Sequence, residues 1–237
     1  MSSSTHTSKT NYHLYTFYAS SCAARLRIAF NLKDIEYVPH YVDMNTDDHE
    51  SEAYRAINPS AAIPTLRIET EGHDTFTVTQ SVAILEFLEE IHPARTPLLP
   101  PLSDPKARAR VRELMYIVTS DIFPPTNSRV AQSVKAVRGE REDALTFVRT
   151  IMNRGFAAYE TYLSTYFPSG KYSAGDAVTL ADVCLIPQVE QARFYGIDFA
   201  QFPLLSGVID RLEELEAFKK AGWRTQGDTP EKDRLAL

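Results

Sequence analysis

Two serines and a cysteine stand in a row where a predicted strand gives way to a predicted helix. Ser20, Ser21 and Cys22 lie at the start of the helical pattern over 21–32. A helix N-terminus presents unpaired N–H groups and a partial positive charge, which favour a bound anion such as a thiolate. Ser21 could donate its hydroxyl to that thiolate, or Cys22 could itself be reactive because this position lowers the pKa of a thiol. The alternative is that one of the serines only caps the helix.

Two further positions could bind a polar ligand, in part through the backbone. Pro64 opens a predicted strand, and a cis peptide bond before it would turn the N–H and C=O of Ile63 outward, toward an extended peptide. The alternative is a trans proline at an edge strand, which is much the more common isomer. Gln80 and Ser81 open a predicted helix, where the N–H and hydroxyl of Ser81 could hold a carboxylate. Here too a simple cap is the alternative.

The elements that must position these residues alternate between strand and helix. Hydrophobic patterning predicts strands over 11–17, 36–42, 63–68 and 74–78, and helices over 21–32, 49–57 and 80–91. Pro39 favours an edge position for the second strand, because proline has no backbone donor. The order β-α-β-α-β-β-α describes a compact α/β domain.

The rest of the chain carries helical patterns alone. Residues 93–103 are a proline-rich linker, because proline interrupts helices. Long helices are predicted over 105–122, 140–166, 179–194 and 204–215. Thr179 and Asp182 have the spacing of a capping box. The sequence therefore predicts a disordered tail over 1–10, an α/β domain over 11–92 and an all-helical domain over 104–237.

Composition and charge exclude several classes of protein. The 237 residues hold 25 Lys and Arg against 31 Asp and Glu, a net charge of −6. A nucleic-acid-binding protein would instead present a basic face. No apolar run approaches the roughly 18 residues of a membrane helix, and the Ser/Thr-rich start lacks the apolar core of a secretory signal. The two cysteines are far apart in the sequence, which favours a reducing, cytoplasmic compartment.

The order and spacing of these residues resemble one family. Residues 20–29, SSCAARLRIA, resemble SSCxxRVRIA, the signature of the zeta class of the glutathione transferase superfamily. Further matching stretches are Asn58-Pro59, Ile63-Pro64-Thr65-Leu66, residues 80–84, residues 182–189, Ala192-Arg193-Phe194 and Asp228-Thr229-Pro230. The resemblance covers roughly 12–231. It implies the glutathione transferase fold, in which a thioredoxin-like domain precedes an all-helical one, and it implies a homodimer.

The resemblance also implies roles for single residues in binding glutathione. Ser21 would hydrogen-bond the thiolate of glutathione, with Ser20 and Cys22 beside it. The backbone of Ile63 would pair with the cysteinyl part, and Gln80 and Ser81 would hold the γ-glutamyl end. The complete set of implied glutathione contacts is His49, Ile63, Pro64, Gln80, Ser81 and Asn127.

Two arginines are candidates for substrate binding, because a guanidinium pairs well with carboxylates. Arg193 matches the arginine that the family uses for a substrate carboxylate, and Arg25 could add positive field. The alternatives are a surface ion pair for Arg193 and a solvated or ion-paired helix face for Arg25. Neither reading involves a metal, and no metal site is indicated by the sequence.

The implied activity is a glutathione-dependent cis–trans isomerisation of maleylacetoacetate to fumarylacetoacetate, as in tyrosine and phenylalanine breakdown. The thiolate adds to the double bond, the resulting single bond rotates, and elimination regenerates glutathione. The chain departs from the zeta pattern at Ala19, Ala24 and Phe123, which remove bulk and charge from the mouth of the implied site. These changes leave open a second reading, a transferase that conjugates or dehalogenates electrophilic α-halo acids.

Three further readings stay open. Tyr15 could activate the thiol, as in tyrosine-type transferases, although the double serine favours the serine type. Cys22 could form mixed disulfides, although no Cys-x-x-Cys pair accompanies it. The chain could also be a binding module without catalysis, although such modules often lose the thiol activator.

Overall fold

The computed structural model describes residues 9–235. Within this range the chain divides by its internal contacts into two compact units. One comprises 9–95 together with 220–235, and the other is Thr96–Lys219. The division at 95/96 falls inside the predicted linker. Residues 220–235 join the first unit, whereas the sequence assigned them to the helical domain.

The first unit contains the predicted α/β pattern. Its elements are β1 (Thr10–Thr16), α1 (Ser21–Lys33), β2 (Val38–Tyr41), a 3-10 turn (Asp48–Glu50), α2 (Glu52–Ile57), β3 (Thr65–Thr70), β4 (Phe76–Thr79) and α3 (Ser81–Ile91). The order β-α-β-α-β-β-α is therefore confirmed. Most of the predicted tail, residues 1–8, lies outside the described residues, and its last residue, Thr10, already belongs to β1.

The four strands form one mixed sheet in the order β2-β1-β3-β4. β2 runs parallel to β1, while β3 is antiparallel to both β1 and β4. β2 lies at the edge, as Pro39 predicted. β3 begins at Thr65 rather than at residue 63, because Pro64 has no N–H to donate to a ladder.

Alternation along the strands gives this sheet one buried face. Leu14 of β1 and Leu66 of β3 are fully buried, as are Leu26 of α1 and Ile84 of α3. Burying a side chain of this size contributes about 1.5–3 kcal/mol. α1 and α3 contact one another, and this packing fixes the starts of the two helices that carry most of the candidate residues.

The second unit contains helices only. They are α4 (Pro105–Tyr116), a π-helical segment (Ile117–Ile122), α5 (Phe123–Thr126), α6 (Ser128–Arg138), α7 (Arg141–Tyr166), α8 (Leu180–Phe194), a 3-10 turn (Phe199–Gln201), α9 (Pro203–Glu213) and α10 (Glu216–Lys219). Among the described residues, no helix is both long enough and apolar enough to cross a membrane.

Two helical stretches differ from the prediction. The sequence ended the first long helix at Phe123-Pro124-Pro125, but the backbone stays helical to Thr126. The two prolines lie in the first turn of α5, where a missing N–H costs little. α6 was not predicted at all. Val130, Val134 and Val137 have helical spacing, so the sequence held a short apolar stripe that the prediction overlooked, although no residue of α6 is buried.

Packing in the second unit centres on α7 and α8. A side chain in place of Gly155 of α7 would overlap Ile122 of the π-helical segment, so the two backbones approach closely there. The capping box at the start of α8 is confirmed. The N–H and hydroxyl of Thr179 donate to Asp182 Oδ2 at 2.7 and 3.0 Å, and the N–H of Ser173 donates to Oδ1 at 2.9 Å.

Candidate functional site

The loop between β1 and α1 leaves one serine capping the helix and the next one free. Ser20 is the N-cap of α1, and its Oγ accepts the N–H of Ala23 at 3.2 Å. Ser21 is the first helical residue, and its half-buried hydroxyl has no hydrogen-bond partner within residues 9–235. Cys22 follows, also half-buried and in no disulfide. Ser20 is thus the residue that caps α1, and among the described residues the Ser21 hydroxyl has no acceptor that would compete with a ligand.

The second feature is the cis bond between Ile63 and Pro64. The trans isomer, which is the more common one and was the alternative considered, is therefore wrong. Within the described part of the chain, no hydrogen bond is formed by the N–H or C=O of Ile63. These two groups are therefore available to an extended peptide, as in strand addition.

Tyr54 and Asn58, to which the sequence pattern assigned no role, hold the segment of residues 62–65 in place. The Tyr54 hydroxyl donates to the carbonyl of Ala62 at 2.8 Å and lies 2.9 Å from Thr65 Oγ1. Asn58 Nδ2 donates to the same two oxygens, at 2.7 and 3.0 Å. Burial raises the pKa of Tyr54, so the phenol stays protonated and remains a donor. Nothing in the local sequence pattern marks Tyr54; only the Asn58-Pro59 pair could have drawn attention to this contact.

The third feature is the start of α3. Gln80 has φ +70°, a conformation that non-glycine residues rarely adopt and that is often found at functional sites. Its exposed side chain makes no capping hydrogen bond. Ser81 begins the helix and is 7% exposed, so its hydroxyl and the first free N–H groups of α3 lie together. The start of α3 therefore has the groups that could hold a carboxylate.

Arg25 is buried, so the solvated helix face considered for it is wrong, while its role toward a substrate stays a prediction. It is 2% exposed, and its NH1 donates to Ser81 Oγ at 3.0 Å. Arg25 is thus neither a solvated helix residue nor a cation on the open surface. The reason is that α1 and α3 pack together, which turns this position toward the start of α3 rather than toward solvent.

His49 is 5% exposed and lies in the 3-10 turn before α2. Its Nε2 is 3.6 Å from the Glu50 carboxylate. Its Nδ1 is buried and has no hydrogen-bond partner among the described residues. A buried ring nitrogen in this state is costly unless a ligand or water satisfies it. The role of His49 toward glutathione stays a prediction, which this orphaned atom supports.

The two remaining candidates lie in the second unit and have protein partners there. Asn127 caps α6, and its Oδ1 accepts the N–H of Arg129 at 3.0 Å. Arg193 forms a two-pronged ion pair with Glu213, at 2.5 and 3.2 Å, which is the surface ion pair considered as an alternative. A substrate carboxylate would have to compete with Glu213 for this guanidinium. The ligand-binding roles of both residues stay predictions.

Within the first unit, three features suit three parts of one ligand. The start of α1, with the free Ser21 hydroxyl, favours a thiolate. The backbone of Ile63 suits a peptide unit, and the start of α3 suits a carboxylate. A small peptide with a thiol and a free α-carboxylate, such as glutathione, combines all three groups.

Known proteins are similar to this chain in fold and in sequence. The family model of the glutathione S-transferase N-terminal domain matches residues 19–91, and that of the C-terminal domain matches 114–216. A maleylacetoacetate isomerase of Aspergillus fumigatus is 45% identical over 224 residues, which are 94% of this chain and 95% of the relative.

Two solved structures are similar over nearly the whole chain. A maleylacetoacetate isomerase of Anaeromyxobacter dehalogenans with glutathione bound in its active site has a TM-score of 0.84 and 36% identity, covering 94% of this chain and 100% of the other. A bacterial maleylpyruvate isomerase described as a zeta-class glutathione S-transferase has a TM-score of 0.83 and 37% identity, covering 92% and 100%. The chain belongs to the zeta class of the glutathione S-transferase family.

Proposed function

We propose that this protein is a glutathione-dependent isomerase that converts maleylacetoacetate to fumarylacetoacetate. The observation that carries the proposal is the free Ser21 hydroxyl at the start of α1, in a chain that is similar to isomerases of this kind over almost its whole length. When bound, glutathione would supply a thiolate that adds reversibly to the cis double bond and so allows rotation about it.

The thiolate is stabilised by the start of α1. The Ser21 hydroxyl donates a hydrogen bond to the sulfur, and the unpaired N–H groups of the first turn add a favourable electrostatic field. Ser20 acts indirectly, because its cap satisfies Ala23 and leaves the Ser21 side chain free. A hydrogen bond to a charged group contributes about 1.5–3 kcal/mol.

The rest of glutathione is held along the edge of the same unit. The N–H and C=O of Ile63 pair with the cysteinyl residue, after the cis bond to Pro64. Ser81 and Gln80 bind the γ-glutamyl carboxylate at the start of α3, and His49 Nδ1 binds toward the glycyl end. The role of Asn127, in the second unit, stays a prediction of the resemblance; its amide nitrogen is not used by its cap on α6.

The substrate is a dianion, and Arg193 is the residue proposed to bind one of its carboxylates. Arg193 donates two hydrogen bonds to the Glu213 carboxylate, so a substrate carboxylate would take the place of Glu213 in the same two-pronged arrangement. Of the three departures from the zeta pattern, Ala19 is exposed, Phe123 is half-buried and Ala24 is buried. We further propose that the protein is cytoplasmic and that it forms a homodimer. Light scattering of the purified chain tests the homodimer through its molar mass.

The test is turnover of maleylacetone, a cis analogue of the substrate, followed by its ultraviolet absorbance with and without glutathione. Ser21→Ala is expected to lower kcat/KM by roughly 10- to 100-fold, the loss of a hydrogen bond to a charged group. Ser133→Ala is the matched control, because Ser133 is exposed on α6 and only bonds the carbonyl of Arg129. Unchanged turnover in Ser21→Ala would remove the assignment of Ser21.

Arg193→Ala separates the substrate role from the glutathione role. We expect KM for maleylacetone to rise while the affinity for glutathione is retained. Arg138→Ala is its control, because Arg138 forms an exposed ion pair with Asp143 at 3.3 Å. No isomerisation by the wild type, together with glutathione conjugation of an α-halo acid, would assign the protein to the conjugating transferases instead.

A further inference from the structure

The sequence motif Asp228-Thr229-Pro230 lies against the loop that joins β1 to α1 and ends directly before Ser21. Residues 220–235, here called the C-terminal brace, belong to the first unit. Within the brace, Asp228 Oδ2 accepts the backbone N–H of Tyr18 at 2.8 Å. Tyr18 is in the loop of residues 17–20 that joins β1 to α1. A side chain near the C-terminal end of the chain therefore holds the loop directly before Ser21.

A second group, Arg27, ties the same loop to the brace. It is 1% exposed, and it lies in α1. Its NH1 donates to Thr16 Oγ1 at 2.9 Å and to the carbonyl of Phe17 at 3.2 Å. Its NH2 donates to the carbonyl of Tyr18 at 3.2 Å, and its Nε donates to the carbonyl of Ala221 at 3.0 Å. One buried guanidinium thus connects the end of β1, the loop and the brace.

The brace is itself firmly placed. The ring of Trp223 lies 6.4 Å from that of Tyr18, and the buried Thr229 hydroxyl donates to the carbonyl of Trp223 at 2.6 Å. Gly227 packs so closely on the Tyr41 hydroxyl that a Cβ there would overlap it. These contacts are independent of Asp228, so the brace does not depend on that one carboxylate for its position.

We propose that Asp228 and Arg27 are positioning residues, which hold the β1–α1 loop so that Ser21 stands where it can stabilise a bound thiolate. The inference rests on the proposed function. Within the loop, the backbone hydrogen bond is from the N–H of Ser20 to the carbonyl of Phe17, at 3.0 Å. The other polar groups at its centre, the N–H and C=O of Tyr18, are held by Asp228 and Arg27.

Small displacements of this loop are expected to matter. Ser21 follows the loop directly, and a misplacement of about 1 Å at a reacting centre can cost on the order of 10²-fold in rate.

Asp228 is buried enough that burial raises its pKa, against the opposing effects of the Tyr18 N–H and of the Arg27 charge. Its Oδ1 has no hydrogen-bond partner within the described residues. Asn at this position keeps an oxygen for the Tyr18 N–H and removes the charge, with its NH2 group in the place of Oδ1.

The experiment compares Asp228→Ala with Asp228→Asn. The readout is the pKa of the thiol of bound glutathione, from the ultraviolet absorbance of the thiolate as a function of pH. For Asp228→Ala we expect this pKa to rise by about 0.5–1 unit and kcat/KM at neutral pH to fall about 3- to 10-fold. Asp228→Asn keeps an acceptor for the Tyr18 N–H, so it is expected to restore the wild-type pKa. Asp233→Ala is the control within the brace, because the Asp233 side chain makes no hydrogen bond among the described residues.

A second ligand distinguishes positioning from loss of the site. S-Methylglutathione has no thiol proton, so its affinity reports the peptide-binding groups alone, and we expect Asp228→Ala to change it less than twofold. The inference is overturned if the thiol pKa in Asp228→Ala equals that of the wild type, or if the affinity for S-methylglutathione falls in parallel with activity. If the wild type itself does not lower the thiol pKa of bound glutathione, the proposed function fails rather than this inference.

Discussion

The buried contact between Arg25 and Ser81 allows a quantitative prediction about how the carboxylate site is prepared. A serine hydroxyl has one proton and two acceptor positions. Because NH1 of Arg25 donates to Ser81 Oγ at 3.0 Å, one acceptor position is occupied and the serine proton is left to donate to a ligand. Arg25→Met removes the donor while keeping an apolar chain of similar length, and Ser81→Ala removes the acceptor.

The magnitude follows from the type of hydrogen bond. A bond from a charged donor contributes about 1.5–3 kcal/mol. We therefore expect a coupling energy of about this size between the two substitutions, measured as free energy of unfolding in urea for wild type, both single variants and the double variant. For glutathione binding, Arg25→Met frees the serine hydroxyl to rotate, and we expect Kd to rise roughly 3- to 10-fold, or about 0.7–1.4 kcal/mol.

Titration calorimetry with glutathione provides the decisive comparison. If Arg25 acts through Ser81, the double variant loses no more affinity than the worse single variant. Additive losses in binding free energy would contradict this prediction, because they would mean that Arg25 acts on the ligand independently of Ser81. Arg67→Met is a suitable control, since Arg67 is a partly exposed arginine of the same unit that pairs with Glu69 at 3.1 Å.

Two further predictions concern stability. Asp182→Ala leaves three buried donors of Ser173 and Thr179 without an acceptor, so we expect the free energy of unfolding in urea to fall by at least about 3 kcal/mol. The control is Asp176→Ala, which exposes one N–H to solvent and should lower the free energy of unfolding by at most about 1 kcal/mol. Burial, with Arg95 and Lys33 nearby, lowers the pKa of His92, so the unfolded chain binds more protons and the free energy of unfolding should fall as pH drops below about 6.5. His92→Gln should flatten this dependence, and an unchanged pH profile would show that His92 does not cause it.

The sequence predicted the features that depend on periodicity and on local chemistry. Strand alternation and the apolar faces of α1 and α3 gave the correct order of elements in the first unit. The edge position of β2 followed from Pro39 alone. The capping box of Thr179 and Asp182 was also correct, because both partners lie within four residues of one another.

Features that depend on distant contacts were missed or placed differently. α6 was missed although Val130, Val134 and Val137 have helical spacing, and none of its residues is buried in the structure. Arg25 looks like a solvated cation in the sequence, and only the packing of α3 on α1 shows that it is buried against Ser81. The role of Tyr54 depends on a loop that lies 8 to 11 residues farther along the chain. Residues 220–235 show no long helical pattern, and their place in the first unit depends on partners near the other end of the chain.

The return of the C-terminal brace has a consequence for biosynthesis. Asp228 and Tyr18 are 210 residues apart in sequence, and Arg27 and Ala221 are 194 apart. A ribosome synthesises the sheet and α1 long before it reaches the brace, so a nascent chain that stops after the helices of the second unit has a β1–α1 loop without these two contacts. Chains released early by premature termination would therefore carry both serines and keep the contacts of Arg27 with the loop, but they would lack the contacts with Asp228 and Ala221. Contacts between residues so far apart in sequence close long loops and therefore form late in folding.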